Sequence, residues 1–259
     1  MKNSFKEKIA KNEKPIGTFT GCASPAIVEC LARTGMDYII IDNEHSPVEA
    51  ETSAELARAA DAAGICPLAR VREISRPAIL KLLDVGIKGL IVPNVNTVSD
   101  VYEVVEYAKF PPLGKRGYCP SRKDGWGFDE PACSGVTANM QNCNEETLVI
   151  PQCETTGALE NIEEIAGIDG VDGIFIGPFD LSISMGIPGD FENPVFKAAL
   201  ERILKAAHDA GKFCMLFTGN NAGVISGFKA GYDSMTYSLD AMLFIQAVKA
   251  EVDRIREEI

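Results

Sequence analysis

Four neighbouring residues, Asp42, Asn43, Glu44 and His45, follow the apolar run Tyr-Ile-Ile-Ile and bring three ionisable side chains to one place. His45 is one of two histidines in the chain, and flanking carboxylates hold an imidazole in one tautomer, ready to move a proton. The other, His208, sits in the helical stretch Lys-Ala-Ala-His-Asp-Ala and reads as a surface residue. Arg70 and Arg72 close a further run, Pro-Leu-Ala-Arg-Val, and alternation sends both to one side unless Arg72 already lies in the loop. An arginine turned into a site asks for an anion, and a substrate carboxylate matches its planar fork; surface salt bridges are the structural alternative. Gln152 and Glu154 end another apolar run, and Asp180 follows Gly-Ile-Phe-Ile-Gly-Pro-Phe. Two carboxylates at neighbouring strand ends can hold a hard divalent cation with waters completing the shell. Glu154 would equally suit a helix N-terminus. Gly177 and Pro178, beside Asp180, let the backbone approach a ligand closely.

Such residues act together only if the chain positions them, and the hydrophobic pattern predicts how. Short strands are expected at Ile16–Phe19, Tyr38–Asp42, Pro67–Val71, Gly89–Pro93, Thr147–Gln152, Gly173–Ile176, Phe213–Phe217 and Ser234–Tyr237. Between them lie stretches with apolar residues at i, i+3, i+4 and i+7, such as Ala54–Ala63 and Phe196–Ala210. Strand–helix alternation implies parallel strands with right-handed crossovers. Eight units in 259 residues fit a single closed (β/α)8 barrel over 1–259, of the TIM type. No G-x-G-x-x-G follows the first strand, which counts against a dinucleotide-binding sheet. In such a barrel, polar residues at strand C-termini read as catalytic. The irregular stretch 110–135, with the only tryptophan, Trp126, would form part of a lid if it is a βα excursion.

Composition narrows the partners. The formal net charge of −12 repels phosphate backbones, so nucleic acid is not expected, while a small anionic substrate is compatible with a local arginine or metal. None of the eight cysteines has C-x-x-C spacing, and most read as small buried hydrophobes in a reducing cytoplasm. The N-terminal Met-Lys-Asn-Ser-Phe-Lys-Glu-Lys lacks the apolar segment of a secretory signal, and no run is long enough to predict a membrane span.

Several longer stretches occur in a telling order: Ile-Asp-Asn-Glu-His (41–45), Leu-Ala-Arg-Val (68–71), Leu-Leu-Asp-Val-Gly (82–86) and Gly-Leu-Ile-Val-Pro (89–93). Pro-Pro-Leu-Gly-Lys-Arg-Gly (111–117), Pro-Gln-Cys-Glu-Thr (151–155) and Gly-Ile-Phe-Ile-Gly-Pro-Phe-Asp-Leu-Ser (173–182) follow. Together they resemble the HpcH/HpaI family of class II, metal-dependent pyruvate aldolases, within the phosphoenolpyruvate/pyruvate barrel superfamily. The resemblance implies a divalent cation (Mg²⁺, Mn²⁺ or Co²⁺) held by Glu154 and Asp180, with a 2-oxo acid chelated to it. It implies that Arg70, Gln152, Gly177, Pro178 and Phe179 bind substrate, that His45 does acid–base work supported by Asp42 and Glu44, and that Asp84 partners the histidine. Asp84 falls at the C-terminus of the helix before the fourth strand, on the wrong face of its own barrel. A neighbouring subunit would have to supply it, so an obligate homo-oligomer is expected, a hexamer built as a dimer of trimers.

The implied reaction is reversible cleavage of a 4-hydroxy-2-oxo acid, such as 4-hydroxy-2-oxoheptanedioate or a 2-keto-3-deoxy sugar acid, to pyruvate and an aldehyde. No lysine ends a matching strand, which disfavours a Schiff-base route. Phe179 stands where the family more often has a small residue, Asn94 and Asn96 where Met and an acidic residue are frequent, and both Cys119 and Cys133 fall in the 110–135 stretch. A lyase acting on citryl- or malyl-CoA thioesters is the nearest alternative. It needs a basic surface, for which Lys115, Arg116, Arg122 and Lys123 are the candidates. A non-catalytic barrel that binds keto acids is the other.

Overall fold

The computed structural model describes residues 2–259. Eight parallel strands close into one barrel in sequence order: β1 Ile16–Thr20, β2 Tyr38–Asp42, β3 Cys66–Arg70, β4 Gly89–Val92, β5 Leu148–Cys153, β6 Gly173–Ile176, β7 Phe213–Thr218 and β8 Ser234–Leu239. A short helix, α1 (Ser4–Ala10), precedes them, and α2 (Pro25–Ala32), α3 (Ala50–Ala63), α4 (Arg76–Asp84) and α5 (Val98–Ala108) follow the first four strands. The remaining helices are α6 (Val136–Glu146), α7 (Thr156–Glu160), α8 (Ile162–Gly167), α9 (Pro178–Ser184), α10 (Pro194–Asp209), α11 (Asn221–Ala230) and α12 (Asp240–Glu257).

Strand periodicity splits the core in two. One parity, including Phe19, Tyr38, Ile40, Leu68, Ile91 and Phe175, fills the barrel interior. The other, including Ile39, Ile41, Ala69 and Leu90, packs outward against helix residues such as Leu56, Ile79 and Val104. Each such side chain contributes on the order of 1.5–3 kcal/mol by leaving water. Phe5 of α1 plugs the end where the strands begin, with its ring edge-on to Tyr38 at 5.0 Å and to Phe213 at 5.5 Å. Two strand glycines make room for these rings: a Cβ at Gly17 would lie 2.4 Å from Tyr38, and one at Gly173 would lie 2.2 Å from Phe213.

The structure corrects two expectations. The 110–135 stretch follows α5, so it leaves the face where the strands begin and cannot cover the strand C-termini of its own barrel. Its anchors confirm the placement, since Arg122 donates to Val85 O and Asp61 near the ends of α4 and α3. The cysteines also divide evenly: Cys66, Cys143, Cys153 and Cys214 are buried, while Cys22, Cys30, Cys119 and Cys133 are exposed on helices and loops where packing sets no demand. Among the described residues, no helix is long and apolar enough to cross a membrane.

Candidate active site

The inward row of each strand ends at the barrel mouth. Continuing the parity of the interior residues leads to Asp42 on β2, Arg70 on β3 and Gln152 on β5, with Glu154 and Gly177 one step past their strands. Asp42 and Arg70 are direct register partners, which explains their pairing. Arg70 donates from Nε to Asp42 Oδ1 at 2.9 Å and from Nη2 to Asp42 Oδ2 at 2.6 Å, a two-pronged fork. Its Nη1 lies 3.2 Å from Glu44 Oε2, and its guanidinium stacks over the Phe19 ring at 4.7 Å. Burial works to raise the Asp42 carboxyl, but the Arg70 hydrogen bonds outweigh it and hold the group below its ordinary value. Arg72, by contrast, is exposed in the loop and pairs with Glu49.

Glu154 is buried and accepts the backbone N–H of Asn94 at 2.7 Å on one oxygen and Gln152 Nε2 on the other. Burial, reinforced by the carboxylates of Glu44 and Asp180, pushes it up to about 7. Burial likewise pushes Glu44 up, with Asp42 and Asp180 adding to the effect. Four carboxylates, Asp42, Glu44, Glu154 and Asp180, thus crowd one mouth, and Gln152 Oε1, buried beside them, has no donor. Among the described residues, no three His, Cys, Asp or Glu side chains form a ready-made metal cage. Glu154 and the exposed Asp180 could hold a cation between them, with waters and the free Gln152 oxygen completing its shell. That all-oxygen, water-completed set suits a hard divalent ion and would relieve the mutual repulsion of the carboxylates.

A cavity of about 100 Å³ adjoins this cluster, lined by Arg70, Gln152, Gly177, Pro178, Phe179 and Asp180. Its far wall is aromatic and apolar: Phe19, Phe175, Phe217 and Leu239. Phe179 is half exposed and stands edge-on to Phe191 at 5.1 Å and against Phe217 at 6.1 Å. Gly177 is required here for space, since a Cβ would come within 2.7 Å of Gln152 Nε2 and 2.8 Å of Glu154 Oε2.

His45 is exposed at the rim; its backbone N–H donates to Asp42 Oδ1 at 3.2 Å, and its Nε2 lies 3.7 Å from Glu44 Oε2. Asp84, the last residue of α4, is on the opposite face and is held by Arg116 at 2.8 Å and Lys123 at 3.5 Å. The mouth therefore gathers Asp42, Glu44, His45, Arg70, Gln152, Glu154, Gly177, Pro178, Phe179 and Asp180, and leaves Asp84 out. Sequence reasoning missed Phe19, Phe217 and Leu239 as lining residues, and missed Asn94 as the donor to both Glu154 and Glu44. The available signal was position: Phe19, Phe217 and Leu239 are among the last two residues of their strands, and Asn94 lies two residues past β4. The cations named for a CoA surface are committed elsewhere, with Arg116 and Lys123 on Asp84, Arg122 on Asp61 and Lys115 on Glu106.

Comparison with known proteins bears on the family and the barrel fold. The model of the family described as HpcH/HpaI aldolase/citrate lyase matches residues 15–247. The chain is 31% identical over 258 residues to the hydroxypyruvate/pyruvate aldolase of Cupriavidus necator, covering 99% of this chain and 93% of that one. It is 31% identical over 252 residues to the 4-hydroxy-2-oxo-heptane-1,7-dioate aldolase of Shigella sonnei, covering 96% and 94%. The solved structure of an HpcH/HpaI aldolase from Desulfitobacterium hafniense superimposes with a TM-score of 0.89 at 30% identity, covering 97% of this chain and 96% of that one. The chain belongs to the HpcH/HpaI aldolase/citrate lyase family.

Proposed function

We propose that this protein is a metal-dependent carbon–carbon lyase of the cytoplasm that reversibly cleaves a 4-hydroxy-2-oxo acid to pyruvate and an aldehyde. The observation that carries the reading is one buried cation, Arg70, set among four crowded carboxylates and an unpaired Gln152 oxygen, beside a cavity that Arg70, Gln152 and Asp180 line. A divalent ion held by Glu154 and Asp180 would supply Lewis acidity at the 2-keto oxygen. Arg70 places a fixed positive charge where the keto acid gains negative charge, and its fork with Asp42 prevents it from turning away. As the C3–C4 bond breaks, its electron pair passes into the enolate of pyruvate and the 4-hydroxyl becomes the aldehyde carbonyl. His45, through a water, takes the hydroxyl proton. Reprotonation at C3 then releases pyruvate. The aromatic wall of Phe19, Phe175 and Phe217 excludes water from one side of the reacting carbons.

Asp84 completes the His45 relay from a neighbouring subunit, which makes the working unit a homo-oligomer; a hexamer fits the family. The committed cations on the far face speak against a CoA thioester as substrate. The test is pyruvate release from a panel of 4-hydroxy-2-oxo acids, with EDTA and with added Mg²⁺, Mn²⁺ or Co²⁺. Pyruvate formed only with metal is the expected result, and turnover unaffected by exhaustive chelation would overturn it.

A further inference from the structure

The turn between β4 and α5 meets the site twice through one residue, Asn94. Its backbone N–H donates to Glu154 Oε1 at 2.7 Å, and its side-chain Nδ2 donates to Glu44 Oε1 at 2.9 Å. Among the described residues, no other residue donates a hydrogen bond to both of these carboxylates. Both donors belong to a residue held at φ 56°, a left-handed backbone that asparagine tolerates better than most side chains.

The neighbouring residues brace that conformation from two sides. Asn96 Nδ2 donates to Asn94 O at 3.0 Å, which closes the turn on itself. Asn96 N and Thr97 N donate to Asp100 Oδ2 at 2.9 and 2.8 Å, which ties the turn to the capping box that starts α5. From the other side, Thr155, the residue after Glu154, donates from Oγ1 to Val95 O at 2.6 Å. The fit to α7 is close as well, since a Cβ at Gly157 would lie 2.5 Å from Asn96 O.

Each carboxylate is oriented by the bond it accepts from Asn94. Glu44 has no other donor to Oε1 among the described residues, so its Oε2 is left facing Arg70 Nη1 at 3.2 Å and His45 Nε2 at 3.7 Å. Glu154 has Asn94 on Oε1 and Gln152 Nε2 on Oε2, which fixes the plane of the carboxylate while each oxygen keeps a lone pair. Resting on the lyase reading above, we propose that Asn94 is a positioning residue. It locks the carboxylate that would hold the metal and the carboxylate that faces His45 to one braced turn, so the two keep a fixed separation. The two bonds are separable: an apolar side chain in the same backbone conformation would keep the bond to Glu154 and lose the bond to Glu44.

Three variants, followed by pyruvate release and by titration calorimetry with Mn²⁺, test the two bonds apart. Asn94→Gly keeps the left-handed turn and its N–H but drops the side chain. Its kcat is expected to fall about tenfold, with KM for the oxo acid and Mn²⁺ affinity each within about twofold of wild type. Asn94→Asp keeps the size and the tolerance for this backbone but cannot donate to Glu44, so it should be no more active than Asn94→Gly. A residue that served only to shape the turn would be rescued by that aspartate. Asn94→Val disfavours the left-handed backbone and should lose about tenfold or more in Mn²⁺ affinity as well as in kcat. Wild-type kcat in Asn94→Gly or Asn94→Asp, or wild-type Mn²⁺ affinity in a folded Asn94→Val, would overturn the proposal. If Asn94→Val does not fold, the first two variants decide. A wild type that binds no Mn²⁺ and releases no pyruvate would instead overturn the lyase reading, and this role for Asn94 with it.

Discussion

Arg70 is the residue on which most of the site's geometry depends. One edge of its guanidinium, Nε and Nη2, is held by Asp42, Nη1 faces Glu44 and the plane lies over Phe19, so charge, direction and position are all fixed. Lysine in its place keeps the charge but loses the fork. Arg70→Lys is therefore expected to lower kcat/KM for pyruvate release by about 10²–10³-fold while the chain stays folded, since fixed charge at a developing oxyanion acts at that scale. Asp42 makes the reciprocal prediction for stability. Folding lowers its pKa, so the stabilisation is complete above the ordinary value of 3.8 and is lost as pH falls through the depressed one. Asp42→Asn should cost about 3 kcal/mol near neutral pH, at the low end for a broken buried pair because Glu44 still faces the arginine. In melting curves from pH 6 to 2.5, the gap between wild type and variant should close only below about pH 4; a gap independent of pH would show that the carboxylate charge is not what stabilises. Asp42, Arg70 and Glu154 were legible in the sequence because a charged residue closing an apolar run has few structural uses. Phe19 and Phe217 were not, because an aromatic residue in the same place looks like core. Asn94 acts through a backbone N–H held at φ 56°, and its only outward sign is that asparagine tolerates this left-handed conformation better than most residues.

The junction between β6 and α9 shows how an element, rather than a side chain, builds the site. The strand ends at Ile176, Gly177 turns the chain, and Pro178 starts the helix with its φ already set, so Asp180 arrives in the first turn beside Glu154. The backbone of Gly177 has a negative φ of −94°, so Gly177→Ala introduces no left-handed strain. What it introduces is a methyl within 2.8 Å of both Gln152 and Glu154. The variant should fold, with a Tm within a few degrees of wild type, yet bind Mn²⁺ about 10–100-fold more weakly by titration calorimetry, as expected when groups that orient a ligand are displaced. Unaltered Mn²⁺ affinity would remove Glu154 from the metal site. All eight strands were legible to within two residues, because short buried runs bounded by glycine and polar residues have few other fates. The face occupied by 110–135 was not legible. Loop length carries no information about which end of a barrel the loop leaves, and that depended on α5 having already run back along the barrel.

Asp84 can be understood only at the scale of the assembled molecule. It lies at the end of α4, where Arg116 and Lys123 clamp its carboxylate on the face where the strands begin, while His45 stands at the opposite mouth. A strand of five or six residues separates the two faces by about 17–20 Å, far beyond the reach of an aspartate. If Asp84 serves His45 at all, it must serve the histidine of another copy. Two inactive chains should then repair each other. His45→Ala and Asp84→Asn are each expected to lose about 10²-fold or more of activity, in keeping with the weight of acid–base groups. When the two variants are coexpressed and assembled together, some mouths will pair an intact His45 from one chain with an intact Asp84 from the other. Random assembly of equal amounts should restore about a quarter of the sites, because each residue is intact in half of the chains. Mixing the preassembled proteins without subunit exchange should restore nothing. The arithmetic separates this arrangement from a structural role for Asp84. A carboxylate that merely anchors Arg116 and Lys123 within its own chain would leave every mixed assembly no more active than its parts, and the shared relay would have to be abandoned.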